Sequence, residues 1–224
     1  MTRPHSRSPY ASRSASVEVP SPSGSSSPFA CRPFGADRRG LVLGEGGAAL
    51  VLEDWDHAVA RGARIHGEML GYGTSCDHSH LVRPEIEGQV RALNLTLADA
   101  GLRPDDIDYI NAHGTATAEG DPVEIGALKA VFGERAGQLP VSATKSMHGH
   151  LLGAAGAIEA IATVLALREQ VIPPTANLQD KLDPACAGVD HVTTGRQQAL
   201  RTALSNSFAF GGSNAVLAFR AVTP

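Results

Sequence analysis

The segment GAAGAIEAIATVLALREQ, residues 153–170, constrains this chain more than any other. It has the composition of a helix that is apolar on nearly every side, and such a helix must be buried against something large. Within it stands one carboxylate, Glu159, where an unpaired charge is expensive. The stretch that feeds it, SATKSMHGHLLGAAG from Ser142 to Gly156, holds the nearest cation in sequence, Lys145, and an imidazole, His150. This pattern predicts a short apolar strand, then a loop carrying Lys145 and His150 that runs straight into the buried helix. Lys145 is the expected partner of Glu159. The first-turn amides of that helix would be buried with it and would need partners, of which a substrate oxygen is one. Taken singly, Glu159 pointing to solvent and His150 as a satisfied histidine near a helix cap fit equally well.

Composition narrows the field. A chain of 224 residues that is 42% hydrophobic and 19% charged holds enough material for one substantial core. The net charge of -4 gives no basic footprint, which argues against nucleic acid as a partner. No apolar run reaches the ~20 residues of a membrane span, because Glu159, Arg168 and Glu169 interrupt the best candidate. The three cysteines, Cys31, Cys76 and Cys186, share no metal-ligand spacing, and their odd number argues against a disulfide framework. A cytoplasmic location is expected. Residues 1–28 are dominated by Ser, Pro and Arg with few large apolar groups, and are expected to be a disordered leader ahead of a domain spanning residues 29–224.

Along that domain the pattern alternates. GLVLGEGGAALVLED, Gly40 to Asp54, reads as two short strands or one bent strand around glycines. Its GEGG lacks the Lys-Ser/Thr ending of a phosphate loop. A short helix is expected around Trp55 to Arg61, a strand at Ile65 to Thr74, and a helix over Pro84 to Ala100 with Ile86, Val90, Leu93, Leu97 and Ala98 on one face and Gly101 as its stop. IDYINAH, Ile107 to His113, reads as a buried strand delivering HGTAT to its carboxyl end, where α/β folds commonly hold their chemistry. In GDPVEIGALKAVFG, Asp121 is expected to cap a helix, with Pro122 in the first turn and Glu124 closing a capping box. PVSATK is the next strand, and LRTALSNSFAFGGSNAVLAFRAV closes the chain as two strands around a loop with Phe208, Phe210, Gly211 and Gly212. Strands alternating with helices and ending on a strand pair predict a layered α/β architecture with a mixed sheet covered by helices.

Three strand-end loops, HGTAT, KSMHGH and NSFAFGGSN, carry unusual chemistry. His113, Lys145 and His150 converge only if parallel strands bring those ends together. Neutral imidazoles stabilise a thioester oxygen or an enolate through a ring N–H, and a buried lysine beside them favours neutral histidines and a deprotonated carboxylate. Thr115 and Thr117 offer hydroxyls to the amides of an extended ligand. The glycines of FAFGG allow a backbone N–H to meet an oxyanion, or the loop to move as a gate.

HGTATAEGDPVE, TKSMHGHLLGAAGAIEAI and NSFAFGGSN, in this order and spacing, resemble the carboxy-terminal half of β-ketoacyl-acyl carrier protein synthases, condensing enzymes of the thiolase fold. The resemblance runs from about Pro28 to the end, and is greatest to the elongating type II synthases of fatty acid synthesis and their polyketide relatives. It implies decarboxylative Claisen condensation of malonyl carrier protein with an acyl thioester. It implies His113 and His150 as catalytic histidines, Lys145 as the supporting lysine and Glu159 as its carboxylate partner. Thr115 and Thr117 match positions that contact the pantetheine arm; Phe208 and Phe210 match gating phenylalanines, with the Phe210 amide in the oxyanion hole. It implies no permanently bound cofactor, only the phosphopantetheine arm of an acyl carrier protein as substrate carrier, and a dimer in the full-length family. The family's nucleophile lies in a motif like DTACSS at the start of a buried helix in the amino-terminal half, and this chain has no such motif. Cys31, Cys76 and Cys186 match no nucleophile position. His148 stands where the family often has a small residue such as threonine. The chain therefore reads as the His/Lys/His half of the enzyme, paired with an amino-terminal ketosynthase half. The alternatives are a non-catalytic partner subunit like the chain-length factors, or a fragment without independent activity.

Overall fold

A computed structural model describes residues 30–179 and 181–222. The expected leader, residues 1–28, lies outside the described residues. The first helix, α1 (Trp55–Ala60), starts where the Asp54 carboxylate accepts from the His57 amide. It leads into β1 (Glu68–Cys76) and then α2 (Ile86–Asp99). Gly101, at φ +63, stops the chain after α2 as expected. β2 (Tyr109–Asn111), α3 (Gly120–Phe132) and β3 (Pro140–Ser142) follow. Then come the one-turn helix α4 (Lys145–His148) and the long helix α5 (Ala155–Glu169). β4 (Val171–Ile172), β5 (Asp190–His191), β6 (Arg196–Gln197), β7 (Thr202–Phe208) and β8 (Ser213–Arg220) complete the chain.

Six strands form one mixed sheet in the order β1-β8-β7-β2-β3-β5, and β4 pairs with β6 apart from it. β7, β2, β3 and β5 run parallel, while β8 and β1 are antiparallel to their neighbours. The parallel strands β2 and β3 are buried at every position, including the polar Asn111 and Ser142. α2 and α3 cover one face, with Leu93, Leu97, Ile125 and Leu128 packed beside Ile107, Ile110 and Leu204. On the other face Ala160, Ala166 and Leu167 of α5 pack with Tyr109, Ala203 and Phe219. Fully buried Leu and Ile side chains of this kind contribute about 1.5–3 kcal/mol each. The mixed sheet covered by helices is the architecture expected.

Four local expectations are corrected. The segment Gly40 to Asp54 joins no sheet: its one bridge is Leu43 with His150, and Val51 is 92% exposed. A strand needs a neighbour along its edge, and here the pairing stops at that single bridge. The buried face of α2 includes Ala92, Leu93, Thr96 and Leu97, while Ile86 and Ala98 are exposed; the helix packs on β1 and β8. Helix α5 is buried on one side only. Glu159, Ala160, Thr163, Ala166 and Leu167 face the sheet, while Ile158, Ile161 and Ala162 are half-buried and Leu165 is exposed, since the sheet supplies just one covering surface. Asp121 and Glu124 do not cap α3, whose N-cap is Glu119. They turn inward together, being three residues apart on one face, and satisfy buried loop amides that water cannot reach.

Candidate active site

The carboxyl ends of β2, β3 and β7 lie side by side in the sheet. His113 follows β2 by two residues, Lys145 follows β3 by three, and Phe208 ends β7. Parallel pairing therefore places their side chains at one edge of the fold, as the loop pattern predicts. The rings of His113 and His150 stand 5.4 Å apart between centroids, almost perpendicular, and Phe208 packs 5.9 Å from His113.

Each histidine is anchored through its backbone as well as its ring. The His113 and Gly114 amides both donate to Glu124, at 2.9 Å each, and the Asn206 side chain adds a third donor to the same carboxylate at 3.0 Å. Gly114 sits at φ +39, and a β-carbon there would lie 2.4 Å from that of Ala143, so no larger residue fits. The His150 amide donates to Val42 O at 2.7 Å and its carbonyl accepts from Gly44 N at 3.0 Å. That crossing is tight: a β-carbon on Gly44 would lie 2.2 Å from His148 O.

Lys145 is fully buried and forms the expected ion pair with Glu159, whose side chain is equally hidden. Its ammonium also donates to Nδ1 of His113 at 3.3 Å. Nδ1 of His150 accepts from the Leu152 amide at 3.3 Å. In the neutral form both imidazoles then carry their proton on Nε2, which has no partner among the described residues. Burial first, and the Lys145 charge second, hold His113 well below the ordinary histidine range; the same two causes bring His150 down to about 4. The neutral histidines expected from the sequence are thus reproduced. Lys145 draws the Glu159 carboxyl toward its charged form, as expected, but burial acts more strongly and leaves it raised to about 7, with Oε2 without a partner among the described residues. The expectation of a loop leading straight into the helix is also corrected. Lys145 begins a helical turn, and a 3-10 turn at Leu152–Ala154 separates His150 from α5. The Leu152 amide, which opens that 3-10 turn, is taken by His150 Nδ1.

Thr115 and Thr117 lie on the loop after His113, their hydroxyls 3.3 Å apart, and Thr117 Oγ1 accepts from Gly120 N at 3.1 Å. Phe208 is buried and Phe210 is exposed, with Gly211 and Gly212 both at positive φ beside it. His148 donates through Nδ1 to Gly149 O at 2.8 Å. Asn111 escaped the sequence reading. Its amide donates to Glu159 O and Thr163 Oγ1, both at 3.2 Å, and its oxygen accepts from Thr144 Oγ1 at 3.2 Å. The signal was a lone amide inside the apolar strand IDYINAH, where a polar group stays only if it is hydrogen-bonded. Cys31 and Cys186 are buried, and desolvation pushes their thiols up to about 11 and about 12, so neither presents a thiolate near neutral pH. Among the described residues no cluster of His, Cys, Asp and Glu is arranged to hold a metal, and no helix is long and apolar enough to cross a membrane.

Comparison with known proteins agrees with this geometry. The family described as Beta-ketoacyl synthase, C-terminal domain, matches residues 66–179. Nodulation protein E of Rhizobium sp. (strain N33) is 53% identical over 195 residues, which are 87% of this chain and 48% of the relative. The 3-oxoacyl-[acyl-carrier-protein] synthase 2 of Synechocystis sp. (strain ATCC 27184 / PCC 6803 / Kazusa) is 50% identical over 85% of this chain and 46% of its own length. Among solved structures, the ishigamide ketosynthase/chain length factor superposes with a TM-score of 0.83 at 44% identity, covering 88% of this chain and 48% of that one. A type II PKS acyl-carrier protein in complex with its ketosynthase gives 0.81 at 36% identity, over 88% of this chain and 48% of that one. The chain spans about half the length of the relatives it matches. With sequence, fold and loop order in agreement over residues 66–179, this chain belongs to the β-ketoacyl synthase family and carries its carboxy-terminal, thiolase-like domain.

Proposed function

We propose that this chain is the histidine-bearing half of a β-ketoacyl-acyl carrier protein synthase, with His113 and His150 as its catalytic histidines. The observation that carries this reading is the pairing of two neutral imidazoles 5.4 Å apart, each engaged at Nδ1 and each left with an Nε2–H to donate. Two such donors fit the carbonyl oxygen of a malonyl thioester. When the carboxylate leaves as carbon dioxide, the electron pair of the broken C–C bond becomes an enolate, and its negative oxygen is the charge the two N–H groups stabilise. The enolate carbon then attacks an acyl thioester, and the acyl group's former sulfur leaves as a thiolate. Lys145 fixes the His113 tautomer from behind, and Glu159 balances Lys145.

The reading extends to the carrier. A relative in complex with an acyl-carrier protein supports an acyl carrier protein as partner here, with its phosphopantetheine arm as substrate carrier passing Thr115 and Thr117. Phe208 and Phe210 would gate the acyl side, with the Phe210 amide in the oxyanion hole. The acyl nucleophile would come from another segment, because Cys31 and Cys186 are buried, and Cys76, at the end of β1, has no helix start directly behind it. The apolar surface along Leu43, Val51, Leu52, Met147 and Leu152 is where an amino-terminal ketosynthase half would dock. The same exposed surface favours a second reading, a chain without activity of its own.

Release of carbon dioxide from malonyl carrier protein, and condensed product, separate the two. Both are measured for the chain alone and after mixing with a separately expressed amino-terminal half of a relative. Carbon dioxide from the mixture, lost in His113→Ala, supports the catalytic reading. No release in the mixture from a folded chain refutes it.

A further inference from the structure

The loop after His113 is held from outside by a side chain that neither the site nor the helices explain. Arg38 is 94% hidden, its side chain being 6% exposed, and its guanidinium is spent on three separate segments. Nε donates to Thr117 O at 2.9 Å and Nη2 to Ala118 O at 3.0 Å. Nη1 donates to Gly35 O at 2.9 Å and to Asp183 Oδ2 at 2.5 Å, while Asp121 Oδ2 lies 3.8 Å from Nε. Two residues on, Gly40 N donates to Ala116 O at 2.9 Å. Three consecutive carbonyls of the loop, those of Ala116, Thr117 and Ala118, are thus gripped by the 38–40 segment.

The grip falls on a strained stretch. Ala116 has φ +65, a left-handed conformation that an L residue with a β-carbon resists. On either side of it the Thr115 and Thr117 hydroxyls stand 3.3 Å apart. Relaxation of Ala116 would rotate the following peptide and part them. A lysine could not replace Arg38, because one ammonium cannot reproduce a planar fork that spans two adjacent carbonyls and a carboxylate.

We propose that Arg38 is a positioning residue that locks the Thr115–Ala118 loop in its strained shape, ready for the amides of a pantetheine arm. This rests on the carrier reading above as far as the ligand is concerned, while the lock itself stands on geometry alone. The test uses the full chain and two readouts. The first is hydrogen exchange at Gly40 and Gly120, whose amides report the loop through Ala116 O and Thr117 Oγ1, with α2 amides as the control. Arg38→Lys is expected to speed both reporters about tenfold or more with α2 unchanged, the scale of losing one or two charge-assisted bonds. The second is the affinity for malonyl-pantetheine, expected to weaken by a similar factor. Adding Ala116→Gly, which removes the strain, is expected to deepen the loosening of the loop rather than repair it, since glycine widens the choices open to an unlocked backbone.

Unchanged exchange at Gly40 and Gly120, or acceleration shared equally by α2, overturns the lock. Faster exchange with undiminished malonyl-pantetheine affinity overturns the positioning role. A wild-type chain that does not bind malonyl-pantetheine sinks the pantetheine reading of Thr115 and Thr117 and Arg38's part in it, and leaves the exchange data to decide the lock alone.

Discussion

At the residue scale the decisive pair is Lys145 and Glu159, both fully withdrawn from water. Removing one partner leaves a buried charge uncompensated, whereas replacing both with apolar groups removes the demand. Lys145→Met is therefore expected to destabilise the chain by about 3 kcal/mol in chemical denaturation, and Lys145→Met with Glu159→Leu by clearly less than either single change. The pH dependence has opposing parts. Glu159 and Asp121 are both raised to about 7, mainly by burial, so the stability they contribute is full below about pH 4 and is lost as pH rises to 7. His150 is lowered to about 4, so its contribution is full above its ordinary value of 6.5 and is lost as pH falls toward 4. Imidazole NMR should give a His150 midpoint near 4, and a midpoint near 6.5 would remove the case for a neutral pair. The partnership of Lys145 with Glu159 was legible in sequence because a lone carboxylate in an apolar helix must find a cation. How far burial raises the Glu159 carboxyl was not, because it depends on how completely the surroundings exclude water.

At the element scale, α/β alternation, the positions of α1, α2, α3 and α5, and the final strand pair were readable from periodicity and turn residues. What escaped was pairing across long separations. Gly44 and Gly149 are 105 positions apart, yet a β-carbon on Gly149 would lie 3.0 Å from Val42 O. No local pattern marks such a meeting. Gly44→Ala is expected to cost about 1–3 kcal/mol, the scale of overpacking against rigid backbone. It should also shift the His150 imidazole resonances while leaving those of His191, on the far strand β5, in place. Likewise the sequence marks Asp121 and Glu124 as helix caps because their spacing fits the motif. The fold spends them on Phe34, His113 and Gly114, whose amides have no water to turn to.

At the scale of the whole molecule, the sheet carries helices on both faces, while residues 40–54 lie outside it. Leu43, Val51, Leu52, Trp55 and Leu152 are all more than 40% exposed, an apolar surface that favours association. Val51→Asp with Leu52→Asp is expected to reduce self-association in sedimentation while leaving the melting temperature within a few degrees, because neither side chain is packed. The two imidazoles stand on opposite sides of that division. His113 hangs from Glu124 in the packed core, while His150 is stitched by its backbone to the exposed segment at Val42 and Gly44. Warming loosens the least-packed part of a protein first. The geometry of the pair is therefore expected to loosen on warming before the core does, seen as His150 imidazole resonances that change at temperatures where the fold is still intact.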